Sequence, residues 1–185
     1  MAINLQKGQR VSLDGSMKLA LVGLGWDVNQ FETGGNYDLD ASAFLLGAND
    51  KLILDSDFVF YNNLNTRNGA VVHQGDNLTG AGEGDDEVII IDFSKVPDEI
   101  QKIAICVSIY DESKRLTFGQ VSNAFVRVAK LSNEFDTVGE DQLRFDLGEE
   151  FSIETAVLVC EIYRYNGEWK FNAVGAGYSG GLEAL

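Results

Sequence analysis

Apolar residues in this chain recur with the period of a strand, and each apolar run stops before a helix could complete three good turns. In "LRFDLG", Leu143, Phe145 and Leu147 share one face while Arg144 and Asp146 take the other, because successive side chains of a strand point to opposite sides. "DFVFYNN", "EVIIIDF", "IAICVSIY", "NAFVRVAKL", "AVLVCEIYRY" and "EWKFNAVG" are short and rich in β-branched and aromatic residues, which suit a pleated, half-buried surface. Turn-forming clusters such as "GANDK", "SNEFD" and "YNGEW" divide them. Roughly ten strands spaced in this way predict an all-β fold, a two-sheet β-sandwich with a few short helices. Pro97, the sole proline, is followed by Asp98 and Glu99, a pattern that predicts the first turn of a short helix between two strands. No linker or internal repeat interrupts the chain, so residues 1–185 read as a single domain.

Charge narrows the partners. The formal net charge is −15 and the isoelectric point is near 4.3, which opposes nucleic acid, whose phosphates must be neutralised by Lys and Arg. It equally opposes an anionic membrane surface. Cations or basic protein surfaces are the expected partners. "MAINLQKGQRVSLDGS" lacks the apolar core of a signal peptide, and no apolar run approaches the roughly 18 residues of a membrane span. Cys106 and Cys160 sit inside apolar runs. They suggest core thiols in a reducing, cytoplasmic setting rather than a disulfide framework.

The acids are unevenly spread. From Leu19 to Asp50 there is no Lys or Arg, against Asp27, Glu32, Asp38, Asp40 and Asp50; from Asn68 to Ser94 there is again none, against Asp76, Glu83, Asp85, Asp86, Glu87 and Asp92. The sharpest concentration is "GDNLTGAGEGDDE", Gly75 to Glu87. Two unit charges about 4 Å apart repel by about 4 kcal/mol at an effective dielectric near 20, so packed carboxylates call for a counter-charge. Calcium takes six to eight hard oxygens from carboxylates, amides and backbone carbonyls, and glycines let the chain aim carbonyls inward. The loop is not an EF-hand: Asp76 and Glu87 stand at its first and twelfth positions, but Leu78 and Ala81 occupy the third and sixth, and a strand follows. In "DLDASAF", Asp38, Asp40 and Ser42 share one strand face. Asn62 and Asn63 end "DFVFYNN", and Asp27 ends "LVGLGWD"; Asp111 is a further strand-end acid. The same residues also suit a solvated acidic end or another hard cation.

Together "GLGWD", "DLDASAFLL", "DFVFYNN", "HQGDNLTGAGEGDDE", "TFGQVSNAFVRV" and "EIYRYNGEWKFNAVGAGYSGGL" strongly resemble the TerD family of bacterial tellurium-resistance and general stress proteins, in consistent order from Ile3 to Leu185. The resemblance implies a cytoplasmic β-sandwich binding two calcium ions near one end. On that basis Asp76, Asn77, Asp85, Asp86 and Glu87 inherit ligand or near-ligand roles, and Gly80 a carbonyl-donor role. Asp38 and Asp40 match the family's "DLDAS" motif, and Asn62 and Asn63 its paired asparagines. It further implies protein partners in a stress-response assembly, including a membrane-embedded one.

Two other functional classes compete. A metal-dependent hydrolase would hold its metals with several histidines as well as carboxylates, and this chain has only His73. "GLGWD" lacks the third glycine and following helix of a dinucleotide fingerprint. A metal-independent acidic module docking a basic partner is the other alternative. The expected function is therefore a calcium-binding, non-enzymatic stress-response protein whose ions order acidic loops for a partner.

Overall fold

In the computed structural model, which describes residues 1–28, 38–66, 68–75, 84–110, 117–147 and 151–185, the period-two segments pair into two sheets. The strands in chain order are β1 (Ile3–Leu5), β2 (Arg10–Ser12), β3 (Leu19–Val28), β4 (Asp38–Leu46), β5 (Phe58–Val59) and β6 (Val71–His73), then β7 (Glu87–Asp92), β8 (Lys102–Tyr110), β9 (Val121–Leu131), β10 (Glu140–Asp146), β11 (Ala156–Tyr165) and β12 (Glu168–Tyr178). The first sheet runs β1-β10-β9-β3-β7-β6 and the second β2-β12-β11-β8-β4-β5. Every pairing is antiparallel except that of β1 with β10.

Strand alternation decides which side chains meet between the sheets. Val22, Leu24 and Trp26 of β3, Ile89 and Ile91 of β7, and Val126 and Val128 of β9 face Leu39, Ala41 and Ala43 of β4, Ile103 and Ile105 of β8, and Phe171 of β12 in one core. The sheets are also stitched along one edge. The chain leaving β5 crosses to β6, where the His73 N–H donates to the Leu64 carbonyl at 2.8 Å and the Thr66 N–H to the Val71 carbonyl at 3.1 Å. These bonds occupy backbone groups that an open sheet edge would leave unpaired. The β11–β12 hairpin turns at Asn166 and Gly167, both at positive φ (51° and 78°), the backbone that an Asn-Gly hairpin turn requires.

The described helices are three short 3₁₀ turns, Asp55–Asp57, Phe118–Gln120 and Gly181–Ala184, and none of them reaches seven residues. None among the described residues is long and apolar enough to cross a membrane. The predicted helix at Pro97 does not form. Pro97 to Ile100 instead makes a tight turn, closed by the Ile100 N–H to the Pro97 carbonyl at 3.0 Å. The turn places the Val96, Pro97 and Ile100 carbonyls where the Arg164 guanidinium binds all three, a cross-chain anchor that local propensity does not report.

One end of the sandwich gathers the chemistry-bearing segments. Leu24 and Trp26 of β3, Leu39 of β4, Val107 of β8, Val121 of β9 and Val157 of β11 surround a common narrow gap. The end of β3 and the start of β4 therefore lie together. β7 begins there too, because Glu87 pairs with Leu24, and the Phe60–Asn63 turn follows β5 toward it. The described parts of the two base-free stretches at the end of β3, the start of β4 and the start of β7 thus share one end, while Asp50 and Asp92 lie at the other.

Candidate metal centre

The short stretch Gly84–Glu87 enters β7 by splitting its three acids among three environments. Asp85 turns to the outer face of the first sheet, Glu87 turns into the core, and Asp86 sits between them. The outer placement depends on glycine: a Cβ on Gly23 would fall inside the Asp85 carboxyl, and one on Gly25 would strike the Phe125 ring. Arg127, paired opposite Gly23 on β9, grips Asp85 with two guanidinium nitrogens, Nε at 2.9 Å and Nη2 at 2.6 Å. Its Nη1 donates to Asp141. This bidentate fork is the geometry in which Arg best holds a carboxylate.

Glu87 is 1% exposed and meets His73, whose side chain is also fully buried, at 2.9 Å between Oε2 and Nε2. His73 Nδ1 accepts the Gly75 N–H at 3.0 Å, which leaves Nε2 to carry the ring proton on the Glu87 side. The Nε2 to Oε2 approach is close but off the hydrogen-bond axis. A buried carboxylate is costly unless polar groups surround it, so His73 fixes the direction from which Glu87 is supported.

Asp86 accepts the Trp26 N–H at 2.9 Å, and its own N–H donates to the Leu24 carbonyl at 2.7 Å. The Trp26 N–H is accessible because β3 bulges between Gly25 and Asp27. Burial pushes the Asp86 carboxyl above the usual range. The negative charges of Asp27, Asp85 and Glu87 push the same way, while the Trp26 hydrogen bond opposes them. Asp27, exposed at the strand end, accepts a hydrogen bond from the Asn123 amide. Asn123 itself is held at positive φ (51°).

On the second sheet, Asp38 and Asp40 of β4 pair across from Tyr110 and Ser108. They share the outer face with Ser42, while Leu39, Ala41 and Ala43 enter the core as the alternation predicts. An aromatic ladder of Phe44, Phe58, Phe60, Tyr61 and Tyr110 runs on that outer face. Asn63 donates its side-chain amide to the Phe58 carbonyl at 2.7 Å and closes the turn after β5, while Asn62 is exposed.

Asp27, Asp85, Asp86 and Glu87 are therefore neighbours, and Asp38 and Asp40 form a separate pair on the other sheet. Asp76, Asn77 and Gly80 lie outside the described residues, as does Asp111. Among the described residues no three His, Cys, Asp or Glu side chains converge on one point. The available donors are hard oxygens, the class that suits calcium. His73, Arg127, Asn123 and Gly23 were not assigned to the site from sequence. Of these only Gly23 carried a local signal, since glycine inside a strand marks close approach by another group.

Catalytic alternatives find little chemistry among the described residues. The sole His is buried, accepts the Gly75 N–H and stands against Glu87. Both cysteines are buried and unbridged. Burial, with the Glu161 charge, pushes the Cys106 thiol up to about 12, and burial raises Cys160 as well.

Two outcomes follow from this geometry. In a His73→Ala and Glu87→Gln cycle measured by urea unfolding in EDTA, the two losses are non-additive by at least about 0.5 kcal/mol; additive losses would show that the pair is not coupled. Both thiols stay unmodified by a disulfide reagent at pH 8 in the native protein and react once it is unfolded. Rapid native labelling would contradict the burial.

The comparisons agree with this architecture. A family model described as the TerD domain matches residues 1–185. The chain is 51% identical to general stress protein 16U of Bacillus subtilis (strain 168), over all of this chain and 95% of the relative. It is also 51% identical to tellurium resistance protein TerD of Serratia marcescens, with the same coverage. A crystal structure described as a homologue of telluride resistance protein (TerD), SCO6318 from Streptomyces coelicolor A3(2), superposes with a TM-score of 0.67 at 21% identity, covering 91% of this chain and 94% of that one; this likeness shows the fold. None of these relatives carries an enzymatic name. The chain belongs to the TerD family of tellurium-resistance and general stress proteins.

Proposed function

We propose that this chain is a calcium-binding, non-enzymatic component of a cytoplasmic stress response, in which two Ca²⁺ ions order the acidic end for a protein partner. The observation that carries the reading is the Asp86 carboxyl, raised by its burial and further by the neighbouring charges of Asp27, Asp85 and Glu87. A cation would remove that repulsion. Asp86 and Glu87, with Asp76, Asn77 and the Gly80 carbonyl of the adjoining loop, are the proposed donors on the first sheet. Asp38 and Asp40, with Asn62 and Asn63, are the proposed donors on the second. Arg127 holds Asp85 on the outer face, so Asp85 is proposed to brace the loop from outside. The metal supplies charge neutralisation and a rigid set of loops.

A second reading, a metal-independent acidic module, is favoured by one observation: no three candidate ligands converge among the described residues. Calorimetric titration of EDTA-treated protein with Ca²⁺ in excess Mg²⁺ separates the two. The calcium reading expects saturable binding near two ions per chain and a raised melting temperature. At 100 times the dissociation constant each independent site adds about 2.7 kcal/mol.

Asp86→Asn keeps an acceptor for the Trp26 N–H while removing a charge. A carboxyl whose folded pKa is raised binds its proton more tightly in the folded state than in the unfolded chain. It therefore costs stability once pH rises above its unfolded value, and the cost is relieved as pH falls through the folded value. Asp86→Asn is thus expected to raise the melting temperature of the metal-free protein at pH 7 and to lose most of the calcium-dependent gain. Absence of calcium binding in the wild type would transfer the function to the metal-independent module.

A further inference from the structure

The outer face of the first sheet carries a second apolar surface with no counterpart in the calcium reading. In β7, "EVIIID", both faces are apolar: Ile89 and Ile91 enter the core, while Val88 and Ile90 point the other way. A strand that is apolar on both sides is the signature of a sheet covered on both sides. Register assembles the outward residues into rows. Val72, Ile90, Leu21 and Ala129 lie side by side across four strands, and Leu19 lies next to Leu131 in the row below. Leu21, Ala129 and Leu131 form a hydrophobic cluster separate from the inter-sheet core. Leu19, Val72, Val88 and Ile90 remain half-buried at its surface, around an open groove of about 440 Å³. Phe135, 84% exposed, stands on the loop that borders it.

The rim supplies the charge argument. Asp92, Glu134 and Asp136 border the groove, with Lys95 the sole cation among the described lining residues and already engaged by Asp92 at 3.4 Å. Asp136 is held well below the usual carboxylate range by the Ser132, Gly139 and Val138 N–H groups and the Ser132 hydroxyl, so it stays ionised. With a net charge of −15, a second copy of the chain would meet strong like-charge repulsion, whereas a basic partner is attracted. The backbone of β6 is already paired on both sides, with β7 and with residues 64–66, so an added strand has no edge to extend here. Contact is left to side chains. A four-strand row spans about 14 Å at about 4.8 Å per strand, the width that one α-helix of about 10–12 Å diameter covers.

We propose that this face docks an amphipathic α-helix of a partner protein, an apolar stripe seated on Leu21, Val88 and Ile90 and flanking Lys or Arg residues facing Asp92, Glu134 and Asp136. The site lies on the opposite face of the sheet from Glu87 and does not require bound calcium.

The test uses the full chain in EDTA and an 18-residue peptide of Leu and Lys patterned to place leucines on one helical stripe, with a scrambled peptide of the same composition as control. Binding is read by fluorescence anisotropy and folding by thermal melting. The patterned peptide is expected to bind at least tenfold tighter than the scrambled one. Ile90→Glu is expected to weaken it at least tenfold although the substitution adds a negative charge; Val72→Glu, at the groove margin, serves if Ile90→Glu fails to fold. Unchanged or tighter binding by the glutamate variants would reduce the effect to bulk electrostatics and overturn the proposal. So would absence of binding, or a wild-type dimer that the same substitutions dissociate. Because calcium is absent throughout, failure here leaves the calcium reading untouched, and loss of calcium binding leaves this one untouched.

Discussion

Repulsion among carboxylates at one end of the sandwich is the constraint around which the rest of this structure is arranged. Burial pushes the Asp86 carboxyl up most, and the charges of Asp27, Asp85 and Glu87 push the same way. The chain answers locally with whatever polar groups the neighbouring strands offer. Arg127 takes Asp85, the Trp26 N–H takes Asp86, His73 stands against Glu87, and Asn123 binds Asp27. Arg127 is the one full positive charge in that set. The remaining imbalance is what a bound cation would neutralise.

Antiparallel register makes such an end possible. The pleat sends alternate residues to opposite faces, so a four-residue entry into β7 distributes three consecutive acids instead of stacking them. Gly23 and Gly25 clear the outer surface of β3 for Asp85 and for the Phe125 ring, and the bulge before Asp27 frees a backbone donor for Asp86. The opposite end needs none of this and is closed by ordinary turns. The sandwich thus separates a packed apolar centre from an end that carries Asp27, Asp85 and Asp86.

Much of this was legible in the sequence because the period of two survives folding unchanged. The alternation of Asp38, Asp40 and Ser42 against Leu39, Ala41 and Ala43 is reproduced on β4. Residues that act across the fold were not legible. Arg127 lies 42 positions from Asp85, and nothing near it in sequence marks it as a clamp. His73 has no local mark of its neighbour, and Glu87 comes beside it only when β6 pairs with β7. Pro97 misled for the converse reason: its local signal for a helix start was real, and the turn that formed instead is held by the distant Arg164. The family resemblance added expected roles for Asp76, Asn77 and Gly80, which lie outside the described residues.

On the proposed reading, calcium orders this one end. Backbone amide exchange, followed residue by residue with and without saturating Ca²⁺, tests it most directly. Ordering by calcium predicts increased protection confined to the amides of the β3–β4 connection, the Phe60–Asn63 turn and Gly75–Glu87, with the Val96–Ile100 and Ser132–Gly139 turns at the opposite end unchanged. Equal protection in both states, or changes spread evenly over both ends, would contradict it.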